Sequence, residues 1–117
     1  IEAFDLTGSG NNSLTLALRD IQDLSGFNWL NASAAAGLGR TGGTYTLPTS
    51  QQRHQLLIGG NAGDSLTVSA GTTWSNVGTA IFSGISGGPL AGTYNVWNSA
   101  SGLAQLLVAN TVTTTGL

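Results

Sequence analysis

The sequence predicts a small all-β domain, a β-sandwich or irregular β-roll with a C-terminal hairpin and one short helical turn. Three observations carry that reading. Short runs that alternate apolar with polar recur at close spacing, the stretches between them are dense in Gly, Asn and Ser, and helical periodicity is almost absent. Thr and Val, which suit a pleated surface, are frequent. At 117 residues the chain suits one domain.

Along the chain, Phe4-Asp5-Leu6-Thr7 alternates, stops at Gly8-Ser9-Gly10-Asn11-Asn12, and resumes as Leu14-Thr15-Leu16-Ala17-Leu18, so strand, turn, strand is expected. Leu18, Ile21 and Leu24 then recur every third residue before Gly26, which predicts a helical turn over Arg19 to Gly26. Residues 31–55 break the pattern. Ala32 to Ala36 is small and featureless, Gly37 to Thr44 carries four glycines, and Thr49 to Arg53 is polar, so this is the expected loop or insertion point. It reads either as a functional loop or as a surface excursion with Tyr45 and Leu47 pinned to the core.

Gln55-Leu56-Leu57-Ile58 and Leu66-Thr67-Val68-Ser69 read as strands around the turn Gly59 to Asp64. Offset by 52, this unit repeats the first: Gly8, Ser13, Leu14 and Thr15 meet Gly60, Ser65, Leu66 and Thr67. Two such units can lie side by side, each covering the apolar face of the other, although two fall short of a solenoid. Thr79 to Phe82 forms a further strand, Ser83 to Gly92 a loop, and Thr93 to Trp97 with Ala104 to Val108 a hairpin across Asn98 to Gly102. Within that hairpin Tyr94 and Trp97 face opposite ways, so at least one belongs to the core. Trp74, between Thr73 and Ser75, is expected to be exposed.

Composition excludes several functions. Charged residues are 7% of the chain, against about 25% in typical soluble domains. Three arginines and no lysine cannot track a phosphate backbone, so no nucleic-acid partner is expected. With no cysteine and a single histidine, neither a zinc site, an iron–sulfur cluster nor a disulfide framework is available. No apolar run reaches the length of a membrane span. A chain opening on Ile1 reads as a piece of a longer protein. His54 beside Arg53 is expected as a solvated loop or strand-edge residue, no Gly-x-Ser-x-Gly elbow occurs, and Asp20 and Asp23 lie too close for a pair of glycosidase carboxylates in the inverting geometry, so no enzyme activity is expected.

Calcium is the expected cofactor. It takes six to eight oxygen ligands, and turns rich in Gly, Asp and Asn can supply them. Asp5, Asp20, Asp23 and Asp64 are the candidate carboxylates, with Asn11, Asn12 and Asn61 as neutral helpers; Asp20 and Asp23 share one side of the helical turn. The competing role for each Asp is to satisfy backbone N–H groups. A carbohydrate- or surface-binding module is the alternative function, with Trp74 as its candidate exposed aromatic.

Taken together, Ile1 to Leu16, Arg19 to Ser25, Asn61 to Val68, Trp74, Gly92 to Trp97 and Ala104 to Val108 resemble a module of very large bacterial surface adhesins of the repeats-in-toxin (RTX) class. The resemblance implies an extracellular, calcium-rich setting, export by type I secretion, and a structural task in cell adhesion and biofilm formation. Such scaffold modules position adjacent domains of the same adhesin, and some are split by an inserted ligand-binding domain. The isolated domain is then expected to be a monomer. The stretch Ala32 to Arg53 is where the two halves meet, as a natural loop or as a linker closing the gap of an insertion.

Overall fold

In a computed structural model that describes residues 3–31, 39–48, 52–83 and 91–117, the all-β expectation holds. The elements are β1 (Ala3–Asp5), β2 (Ser13–Leu16), α1 (Leu18–Leu24), β3 (Gly26–Phe27), β4 (Arg40–Gly42), β5 (His54–Gly59), β6 (Ser65–Val68), β7 (Trp74–Phe82), β8 (Gly92–Ser99), β9 (Ala104–Ala109) and β10 (Thr113–Thr115). The main sheet runs β1-β5-β9-β8-β7-β4, with β3 also on β5, and a second sheet runs β10-β6-β2.

The strand-turn-strand repeat is the organising feature. β1 lies parallel to β5 and β5 parallel to β9, while β2 lies parallel to β6 and β6 parallel to β10. Each unit thus gives one strand to each sheet. The number of units departs from expectation: β9 and β10 form a third, so three rungs stack where two were expected. Connections within the rungs shorten from seven residues (6–12) to five (60–64) to three (110–112). The last rung therefore lacks the Gly/Asn-rich turn by which the first two are matched in sequence.

The main sheet is covered on both faces, which is why β5 and β9 read as continuous apolar runs. On one face Leu56, Ile58, Leu106 and Val108 pack with Leu16, Leu66 and Val68 of the second sheet and Ile21 of α1. On the other, Leu57, Leu107, Ala80, Phe82, Tyr94 and Val96 pack with Leu30 and Leu47. Leu47 is completely buried, as is Leu30 just before the 31–55 stretch, so the described part of that stretch covers a core face at Leu47, and β4 extends the sheet beyond β7. Leu47, pinned to the core as one reading required, sits there at φ 48°. Residues 32–38 and 49–51 of that stretch, and 84–90 of the Ser83–Gly92 loop, lie outside the described residues.

Local chemistry accounts for the smaller elements. α1 occupies the predicted helical turn; the Asp20 side chain accepts the Ala17 N–H at 2.8 Å at its start, and Ser25 N–H returns to Ile21 O at 3.1 Å at its end. The C-terminal hairpin forms in antiparallel register, with Val96 opposite Leu107 and Asn98 opposite Gln105. Tyr94 is fully buried and sets its ring edge-on to Phe82 at 5.8 Å, while Trp97 is half-buried against the opposite core. Trp74 corrects its expectation: only 7% exposed, it belongs to the first core cluster. Its neighbours Thr73 and Ser75 are exposed while Trp74, the first residue of β7, turns its ring inward.

Candidate functional site: the stacked turns

The three rungs turn at one end of the stack, and Asp64 ties two of those turns together. Its Oδ1 accepts the Asn12 N–H at 2.9 Å and its Oδ2 accepts the Asn61 N–H at 2.7 Å. The Asn12 carboxamide reaches back to Leu6 O at 2.9 Å, and Thr113 N–H bonds Asp64 O at 3.0 Å, bringing in the third rung. The Asp64 side chain is buried, yet donation from Asn61 N–H, and then from Asn12 N–H, holds its carboxyl below the usual value of 3.8. Gly63, at φ 98°, lies against the Asn11 carboxamide, which a Cβ would strike. No other residue type fits that turn without displacing Asn11.

Two of the remaining aspartates, Asp5 and Asp20, close strand edges. Leu6 N–H bonds Gly59 O, which turns Thr7 N–H outward from β1, and Asp5 Oδ1 accepts that outward N–H at 2.9 Å together with the Thr7 hydroxyl. In the second sheet, Ser65 N–H to Asn12 O and Ser69 N–H to Leu16 O turn the even residues of β2 toward β6. Ala17 N–H therefore points outward, and Asp20 takes it. Each carboxylate satisfies the N–H at which an open edge would otherwise continue. Asp23 is exposed on α1.

Of the expected calcium ligands, the fold brings Asp5, Asn11, Asn12 and Asp64 to the turn end. Asp20 and Asp23 sit at the other end, because β2 runs away from the turn before α1 begins. Among the described residues, no group of three or more His, Asp or Glu side chains converges as a metal site would require. His54 opens β5, sets its ring edge-on to Phe27 at 4.9 Å and keeps its Nδ1 buried without a partner.

An open cleft of about 270 Å³ lies beside the turns, lined by Thr7, Asn61, Thr93, Asn110 and Thr111 with the backbone of Gly60 and Ala91 to Gly92. Thr111 donates its hydroxyl to Gly60 O at 2.6 Å and Asn110 N–H bonds Thr93 O at 2.9 Å, fixing one wall.

Sequence reasoning missed a ladder of buried amides across the main sheet. Gln55 grips Leu30 twice, accepting its N–H at 2.7 Å and donating to its carbonyl at 2.9 Å. Gln55 also donates to Gln105 Oε1 at 2.8 Å, and Gln105 donates to Asn98 Oδ1 at 2.8 Å. The signal was present: Gln55-Leu56-Leu57-Ile58 recurs as Gln105-Leu106-Leu107-Val108, the register in which β5 and β9 pair. No family model matches the chain, and neither a curated protein nor a solved structure matches it.

Proposed function

We propose that this chain is a non-catalytic structural module of a bacterial cell-surface adhesin that positions neighbouring or inserted ligand-binding domains. The observation that carries this reading is the neck of the 28–53 excursion. Phe27 pairs with His54 in an antiparallel ladder, and Asn28 N–H bonds Arg53 O at 2.8 Å, so the excursion leaves and returns side by side. A segment whose ends are clamped next to each other can carry a guest without pulling the rungs apart. Load that enters at β1 and leaves at β10 crosses in-register ladders in both sheets, an arrangement suited to a spacer under tension.

The non-catalytic reading is supported by the packing of His54 on Phe27 and by the use of Asp5, Asp20 and Asp64 as backbone acceptors. Calcium is proposed as a stabiliser of the extracellular form. An ion bound to the folded state alone adds RT ln(1 + [Ca]/Kd), about 2.7 kcal/mol at one hundred times Kd. Melting with calcium and with a chelator separates the two cases: equal melting temperatures reject calcium and leave the positional role standing.

The positional role is tested by deleting the module from its parent adhesin and measuring cell attachment under flow. Attachment is expected to fall, and to return when an unrelated folded domain of similar length takes its place. Failure of the replacement to restore attachment would overturn the reading.

A further inference from the structure

We propose that the cleft at the stacked turns binds a neutral saccharide, recognised edge-on by the carboxamides of Asn61 and Asn110. Among the described residues, none that lines the cleft carries an ionisable side chain. A phosphate or carboxylate ligand needs a cation or several converging N–H groups, and a divalent ion needs carboxylates, so the lining selects against both. It offers instead groups that donate and accept at once, two carboxamides and three threonine hydroxyls, and these complement a sugar's vicinal hydroxyls.

The geometry supplies one such group or more from every rung: Thr7 from the first, Asn61 from the second, Asn110 and Thr111 from the third. Successive rungs lie about 4.8 Å apart, so the groups form a row along the stack. Two of them are already committed, Thr7 to Asp5 and Thr111 to Gly60 O, which leaves the wall rigid. The carboxamides of Asn61 and Asn110 are exposed and make no hydrogen bond among the described residues. They are the groups available to a ligand. Gly92, at φ 133°, lines the cleft with bare backbone, and a Cβ there would meet nothing within 4 Å. At about 270 Å³ the space falls just below the range of drug-sized pockets, which suits a single sugar ring. With Trp74 buried, recognition rests on hydrogen bonds and not on ring stacking.

The inference is independent of the positional role and is tested on the intact chain by amide NMR titration with glucose, galactose, mannose, fucose and N-acetylglucosamine. At least one is expected to give saturable shifts confined to Gly60, Asn61, Thr93, Asn110 and Thr111. Asn61→Ala and Asn110→Ala, both exposed positions whose melting temperature is expected to stay unchanged, should each weaken that binding about two- to tenfold. The titration is run with a chelator present, and inorganic phosphate serves as the charged probe and should leave those signals still. Absence of a response to all five sugars, a response elsewhere, unchanged affinity in both variants, or saturable phosphate binding in the cleft would each overturn the assignment.

Discussion

Asp64 and Asn12 are 52 residues apart in sequence, and the Asp64 carboxylate accepts the Asn12 backbone N–H at 2.9 Å, joining the turn of one rung to that of the next. Asp64→Ala leaves the N–H groups of Asn12 and Asn61 without their acceptor, whereas Asp64→Asn keeps the shape and one acceptor oxygen. The alanine variant is therefore expected to melt below the asparagine variant, and both below the native chain, by differential scanning calorimetry.

The same carboxylate gives the fold an acid limb. Its folded pKa lies below the unfolded value of 3.8, so its contribution is complete above 3.8. As pH falls the unfolded chain takes up the proton first, and the contribution is lost through the folded pKa. Denaturation followed from pH 5 downward should show a flatter decline in Asp64→Asn than in the native chain; parallel curves would refute this.

Tyr94 produces the opposite limb. Burial first, and then the negative charge of Asp5, push its phenol up to about 12 from an ordinary value of 10.0. Below 10 both states hold the proton and stability is unaffected. Between 10 and 12 the unfolded chain loses it while the folded chain keeps it, so stability falls as pH rises. Tyr94→Phe should remove that alkaline loss, as read by circular dichroism melts across this range.

Gln55→Leu strands both the N–H and the carbonyl of Leu30 inside the core, at about 1–3 kcal/mol for each unpaired group. Gln105→Leu leaves the grip on Leu30 in place and should cost less. Urea denaturation of the two variants ranks them, and an equal cost would mean that the ladder acts as a single unit.

Trp74→Ala should cost about 3–5 kcal/mol by emptying a core site, whereas Leu103→Ala, at a position 53% exposed, should stay within about 0.5 kcal/mol. Chemical denaturation measures both. A near-neutral Trp74→Ala would contradict its burial.

Much of this architecture was legible in the chain. The matched turns at Gly8 to Asn12 and Gly60 to Asp64, the threefold spacing of Leu18, Ile21 and Leu24, and the hairpin of β8 with β9 all follow from local periodicity, and each is found. Less legible was the third rung, because its turn of three residues, Asn110-Thr111-Val112, has no glycine and keeps a single asparagine of the pattern by which the others are recognised. Of the candidate site, residue types were readable but not roles. Asp5, Asp20 and Asp64 are acids in turns or at a helix start, and only the direction of the neighbouring N–H groups makes them edge and turn acceptors.

By itself the sequence determined the class: few charges, short alternating runs and dense turn residues leave an all-β domain as the fold able to bury this much apolar surface. Only the tertiary structure decided which strands pair, since β1, β5 and β9 meet across insertions that no local preference spans. It also decided which aromatics are buried. Alternation reports that two residues face opposite ways, but a sheet covered on both sides gives each a core to pack on, Tyr94 fully buried in one and Trp97 half-buried against the other.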